Sequence, residues 1–239
     1  MSGHSKWSTI KRAKEKTDQK RGKVFTKIGR EIAVAVKLGG DDPNTNNKLY
    51  DVIQKARANN MPNDTIQRSI KKASGDGNSE NYEEIVYEGY GPCGSAIMVE
   101  CLTDNKNRTA GDVRHLFDKY GAGLGTTNSV GYLFERKGVL AVEKNENIDE
   151  SQLFEMALEA GASDLKDCDD VFEIYTEKDN FHQVKKALEE KGLTFTSAEI
   201  EYVPNNLLDL GEADYEKFET LIDGLEDLDD VQNVYHNVN

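Results

Sequence analysis

Cysteine, histidine, proline and tryptophan are all scarce here: three, four, four and one in 239 residues. Cys93, Cys101 and Cys168 are odd in number and have no C-x-x-C spacing, so they read as reduced cytosolic thiols, not a disulfide frame or a zinc site. His4, His115, His182 and His236 are scattered, with no H-E-x-x-H and no other ligand spacing. There is no G-x-S-x-G and no phosphate-binding G-x-x-x-x-G-K-[ST]. Carboxylate pairs such as Glu83-Glu84 and Asp229-Asp230 are plentiful, but an acidic surface supplies pairs of that kind without catalysis. No apolar run approaches the roughly 20 residues that span a bilayer. Met1–Trp7 has no apolar signal core and no Arg/Ser-rich presequence character. The sequons Asn63-Asp64-Thr65 and Asn107-Arg108-Thr109 are therefore read as incidental. These absences predict a soluble, cytoplasmic protein without metal, cofactor, membrane contact or small-molecule substrate.

What the chain has in abundance is charge, and the charge is segregated. Residues 1–75 carry 17 Lys+Arg against 7 Asp+Glu, a net of +10. Residues 76–239 carry 13 against 37, a net of −24. The overall pI near 4.8 conceals this basic head on an acidic body. Attraction to phosphate depends on the surface that docks, and it decays within about 8–10 Å in physiological salt. The head is therefore a candidate nucleic-acid contact, and the acidic body confines binding to one end.

The first 22 residues are polar and basic, with Lys6, Lys11, Arg12, Lys14, Lys16, Lys20 and Arg21 relieved only by Glu15 and Asp18. They read as a mobile or partly helical arm that, fully extended, reaches roughly 70 Å. Trp7 sits in it, with two roles open: stacking on a base or packing on the protein. From Lys23 to Leu38 the apolar spacing turns helical. Val24, Phe25, Ile28, Ile32, Ala35 and Val36 share one face; Lys23, Lys27, Arg30 and Lys37 fall on the other, read as outward. Further helices are expected over 47–59 and from Pro62 onward, with Leu49, Val52, Ile53, Ala56, Ile66, Ile70 and Ala73 inward. Arg68, Lys71 and Lys72 carry the basic charge onto the third helix. Gly75–Ser79 reads as a linker.

Beyond it the period is mixed. Strands are expected at 85–87, 96–99 and near 130–134, with a helix over 107–119 between the last two. A second array follows: strand 139–142, helix 150–160, strands near 162–166 and at 171–175, helix 180–190, strand 194–202. Helix 212–226 and strand 231–235 close the chain. The fold class is α+β and multidomain: a three-helix bundle with its arm over 1–79, an α+β domain from 80–135 with 205–239, and an inserted one at 136–204. Both α+β domains are expected to be of ferredoxin-like type, the inserted one as a split β-α-β sandwich.

Gly89-x-Gly91-x-x-Gly94 matches a dinucleotide-binding pattern but contains Pro92 and precedes a strand, so a tight strand connection is expected. Gly121, Gly123 and Gly125 read as a flexible loop. Asn105 or Asn107 can cap the helix behind it, where Arg108 and Arg114 add charge. That end is either an anion site or an ordinary capped helix with its arginines paired to carboxylates.

Several segments together are familiar: Gly3-His4-Ser5-Lys6-Trp7, Lys20–Lys27, Asn60-Met61-Pro62, Tyr87–Pro92, Leu102–Thr109, Tyr132–Gly138 and Val231–Asn237. The chain resembles the YebC/PmpR family along its whole length, departing at Cys93 and at Ala122 in the glycine loop. The resemblance implies a helical N-terminal domain, two α+β domains with the third inserted in the second, and a non-enzymatic regulator. Members are described as DNA-binding transcriptional regulators and as ribosome-associated translation factors.

The expected partner is nucleic acid, either rRNA or DNA. The expected contacts are Lys6, Trp7, Lys11, Arg12, Lys14, Lys16, Lys20, Arg21, Lys23, Lys27 and Arg30, with Arg108 and Arg114. The preferred reading is a translation factor acting on the ribosome through rRNA, since nothing suggests a dimeric helix-turn-helix reading a palindrome. The alternatives are a sequence-specific DNA-binding transcriptional regulator and, disfavoured by the thin catalytic inventory, an enzyme with a cleft between the α+β domains.

Overall fold

Amphipathic spacing builds the first three helices. In a computed structural model of the chain, which describes residues 18–75, 81–145, 148–168 and 170–239 with side chains from Gly22 onward, they are α1 (Asp18–Gly39), α2 (Asn47–Ala58) and α3 (Asn63–Ser74). Ile28, Ile32, Ala35 and Val36 pack with Leu49, Val52, Ile53, Ala56, Met61, Ile66 and Ile70 into one core. Asn46 ties two helix ends together. Its side chain caps α2 by accepting from Leu49 N (3.0 Å) and donates to the carbonyls of Ala35 (2.8 Å) and Gly40 (2.7 Å) at the end of α1.

The described residues divide into two compact units. In one, the bundle continues into a sheet: β1 (Glu83–Tyr90), β2 (Ala96–Thr103), α4 (Lys106–Tyr120), β3 (Gly123–Leu124), and later α7 (Glu212–Glu226) and β8 (Val231–His236). The sheet order is β3-β1-β2-β8, antiparallel throughout. Val113 and Phe117 of α4 and Phe218, Leu221, Ile222 and Leu225 of α7 are buried against it.

The other unit comprises Gly131–Asp209 with Asn237–Asn239. It holds β4 (Phe134–Glu143), α5 (Glu150–Ala160), β5 (Asp164–Cys168), β6 (Val171–Glu177), α6 (Phe181–Glu190) and β7 (Ser197–Pro204). The order β5-β6-β4-β7 is that of a split β-α-β sandwich. Leu140, Val142, Phe172 and Ile174 meet Leu153, Ala157, Phe181, Val184 and Leu188 of its helices. Leu208 N donates to Asn237 O (2.7 Å), so the chain's last residues belong with this unit.

Two local expectations are corrected. Gly131–Leu133 is a 3-10 turn, and Phe134–Glu143 is one ten-residue strand in place of two short ones. Gly138 is not a break in it: a Cβ there would strike Thr176 Oγ1 and Phe181, so glycine serves close packing. The Gly121–Gly125 segment is not a free loop. Its Gly123–Leu124 pairs with Gly89–Tyr90, and the buried Glu88 carboxylate accepts from Asn128 N (2.7 Å) and Val130 N (2.9 Å).

Candidate nucleic-acid interface

Lys23, Lys27 and Arg30 follow one another at i, i+4 and i+7 on α1, and the structure gives that stripe a partner. Lys23 Nζ donates to Asp227 O at 3.1 Å and lies 3.4 Å from its carboxylate. Lys27 Nζ donates to Glu226 O at 2.7 Å. Arg30 donates to Asp229 O (2.5 Å) and to the Asp230 carboxylate (2.7 Å). The acceptors are the last carbonyls of α7 and the acidic turn behind it, where unpaired C=O groups and the helix dipole favour cations. The face read as outward is thus turned, at Lys27 and Arg30, onto the end of α7 within the same unit. Burial pushes the Lys27 ammonium down to about 8, against the pull of Glu226 and Asp227.

Asp230 is the centre of this contact. Its side chain, 8% exposed, accepts from Arg30, from Arg108 Nη2 (2.8 Å) and from Thr109 Oγ1 (2.7 Å), with Thr103 Oγ1 at 3.2 Å. Burial alone would raise its pKa, but the Arg108 and Thr109 hydrogen bonds and the Arg30 charge outweigh it and hold the carboxyl below its ordinary value. Every strong direction around the carboxylate is filled, the condition under which a buried charge is tolerated.

The two roles left open for the α4 N-terminus are resolved for Arg108. Asn105 caps the helix by accepting from Arg108 N (3.1 Å), while the guanidinium closes on Asp230 and on Asp104 (2.8 Å). Four expected contacts, Lys23, Lys27, Arg30 and Arg108, are therefore held by carboxylates and carbonyls of the chain itself. Lys23 stays partly exposed. Arg114 is exposed on α4. Lys6, Trp7, Lys11, Arg12, Lys14 and Lys16 lie outside the described residues; of Lys20 and Arg21 only the helical backbone is described. Sequence reasoning missed the role of Glu226–Asp230. A basic i, i+4, i+7 stripe in the head and an acidic run at the foot were both visible as possible partners.

Among the described residues no group of three or more His, Cys, Asp or Glu could hold a metal ion. His115 and His182 are exposed, and His236 is buried edge-on against Phe218 at 4.9 Å. The glycine pattern at 89–94 has a packing explanation. A Cβ on Gly89 would stand 2.5 Å from the Phe117 ring, and Gly94 has φ of +77°. No described helix is long and apolar enough to cross a membrane.

Residues 5–76 match the family model described as the TACO1/YebC protein N-terminal domain, and residues 82–238 match that of the TACO1/YebC second and third domain. The chain belongs to the TACO1/YebC family. It is 56% identical over 238 residues to a probable transcriptional regulatory protein of Thermoanaerobacter pseudethanolicus, covering 100% of this chain and 97% of the relative. It is 57% identical to one of Acetivibrio thermocellus, over 99% of this chain and 98% of that one. The crystal structure of a conserved hypothetical protein of Aquifex aeolicus superposes with a TM-score of 0.86 at 43% identity, covering 94% of this chain and 93% of that one. The α+β multidomain fold expected from sequence is thus the fold found. The TACO1/YebC relatives are named as regulators, which is not an enzyme class.

Proposed function

We propose that this protein is a non-enzymatic, cytoplasmic, nucleic-acid-binding regulator of gene expression that acts on the ribosome through rRNA. One observation carries the reading. The α1 stripe is neutralised by the chain's own acidic turn, so the surplus cations of the head are concentrated in residues 1–21, where seven Lys+Arg face two carboxylates. A segment of that composition tracks backbone phosphates, which position a protein without reading sequence. The contacts proposed are Lys6, Lys11, Arg12, Lys14, Lys16, Lys20 and Arg21, with Trp7 as a stacking platform and Arg114 as an outlying cation. The division into 1–79, 80–135 with 205–239, and 136–204 belongs to the same proposal. Its first boundary is supported by the separation of the two family matches between residues 76 and 82.

A second reading, a DNA-binding transcriptional regulator, is favoured by the names the relatives carry. In-cell crosslinking followed by sequencing of the attached nucleic acid separates the two. Recovery of rRNA at a few positions supports the first; recovery of promoter DNA supports the second and overturns the first.

A further inference from the structure

The second sheet has its two helices on one face only. Leu140, Val142, Phe172 and Ile174 pack with α5 and α6. Strand alternation sends their neighbours to the other face. Register sets Tyr175 beside Val139 and Glu199 in one row, and Glu173 beside Ala141 in the next. No described helix of this unit lies there, yet the face is closed to water. Val139 is 4% exposed, Ala141 1%, Glu173 2%, Tyr175 5% and Glu201 5%. An antiparallel sheet with a bare face keeps that face wet. The structure is that of a single chain, so the cover belongs to the chain.

Charge narrows the choice. Buried carboxylates need donors or cations. Glu173 takes the Tyr175 hydroxyl (2.6 Å) and the Cys168 thiol, both neutral. Lys137, opposite Glu201 in register, turns to Glu135 (3.1 Å), and Lys166, opposite Glu173, lies over the Tyr175 ring at 4.8 Å. A matching cover brings cations and apolar side chains together. Residues 1–17 do so, with Lys6, Lys11, Arg12, Lys14 and Lys16 against Glu15, and with Trp7 and Ile10. The other residues outside the description, 76–80, 146–147 and 169, hold neither a cation nor an apolar side chain. Four strands are crossed in about 15–20 Å, well within the roughly 55 Å that such an arm reaches.

We propose that the helix-free face of the second sheet seats the chain's own basic arm, residues 1–17, with Trp7 on the Val139–Tyr175 strip and the arm's cations on Glu199 and Glu201. The seat competes with phosphate for the same cations. A polyanion has to displace the arm before using it, so the acidic body gates the contacts assigned above. Only that gating rests on the rRNA reading; the docking does not.

Trp7 is the one tryptophan of the chain, so its fluorescence reports the arm alone. Acrylamide quenching is measured on the intact chain, on Glu199→Gln/Glu201→Gln and on Lys11→Gln/Arg12→Gln/Lys14→Gln. The control is Glu155→Gln/Glu189→Gln, exposed acids of α5 and α6 on the other side of the sheet. A peptide of residues 1–17 gives the value of an open indole. The expected result is quenching several-fold weaker in the intact chain and the control than in the peptide, rising to the peptide value in both other variants. The Glu199→Gln/Glu201→Gln protein should also bind single-stranded rRNA fragments several-fold more tightly, since no seated state has to be vacated. Quenching of the intact chain equal to that of the peptide overturns the docking. Shielding that survives in both variants overturns the seat. If the glutamate variant fails to fold, judged by thermal unfolding, the arm variant decides, because it leaves the sheet unaltered. Release of Trp7 with no gain in RNA affinity overturns the gate. Release as expected in a chain that binds no RNA supports the docking and removes the rRNA reading.

Discussion

Arg30 of the helical bundle and Asp230, between the last helix and the last strand, meet at 2.7 Å with side-chain exposures of 15% and 8%. A nearly buried ion pair 200 residues apart in sequence fixes the bundle to the turn between the last helix and the last strand of the same unit. Removing Asp230 leaves the Arg30 charge without its carboxylate, and such breaks cost about 3–5 kcal/mol, whereas without Arg30 the Asp230 carboxylate keeps Arg108 and Thr109. Asp230→Ala should destabilise the protein by about 3 kcal/mol in urea unfolding, and Arg30→Met by less, because Arg108 still faces the carboxylate. The double variant should cost less than the sum, since the two act on one interaction. Additive effects would show that the contact is not coupled. By the same reasoning, residues 76–239 cut free of the head lose Arg30 and should unfold at lower temperature than the intact chain, although their composition alone suggests an independent body.

The same pair sets the acid limb of stability. Asp230 is held below its ordinary value of 3.8 in the folded protein. The native state therefore binds fewer protons here than the unfolded chain. The contribution is complete above pH 3.8 and is lost as pH falls from there through the depressed folded value. Asp230→Asn should flatten the fall in urea midpoint below about pH 4. An acid limb identical to that of the unaltered protein would contradict the assignment.

Lys27 predicts the opposite limb. Its folded value is about 8 against an ordinary 10.5, so the native state sheds this proton first and stability rises with pH between those values. The rise should be of order 1–3 kcal/mol and should vanish in Lys27→Met. Urea midpoints at pH 7 and pH 10 measure it.

The thiols should differ sharply in reactivity. Cys101 and Cys168 are pushed up to about 12, in both cases chiefly by burial. Cys93 is exposed and its Sγ lies 3.0 Å from Asp214 Oδ2, a hydrogen bond that raises the thiol's value. A chromogenic disulfide reagent should titrate one thiol per folded chain, and Asp214→Asn should speed that reaction. Three fast thiols would refute the burial assignments.

Helix existence and phase were legible because Ile28, Ile32, Ala35 and Val36 recur at helical spacing and neither Gly nor Pro falls inside α2 or α3. The sequence shows two short strands, near 130–134 and at 139–142, where β4 is one; the side chains that need the bare backbone of Gly138 between them, Thr176 and Phe181, are about 40 residues downstream. The Gly121–Gly125 segment was misread for a similar reason. Glu88, which clamps the chain just beyond it, is remote and looks like one more surface acid. At the candidate interface, the spacing of Lys23, Lys27 and Arg30 showed a cationic stripe but not its direction. Tertiary pairing with Glu226–Asp230 decides that, and no local pattern encodes it.

The central claim is that the head of the chain docks RNA through backbone phosphates, and the salt dependence of binding tests it most directly. Affinity of the intact chain for rRNA fragments and for random duplex DNA is measured from about 50 to 200 mM salt, beside a variant with Lys6, Lys11, Arg12, Lys14 and Lys16 changed to Ala. The account predicts a steep slope on RNA, a loss of about 0.7 in slope per cation removed on single strands, and little dependence on sequence. A shallow slope on both polymers, with one duplex sequence bound far more tightly than the rest, would contradict it.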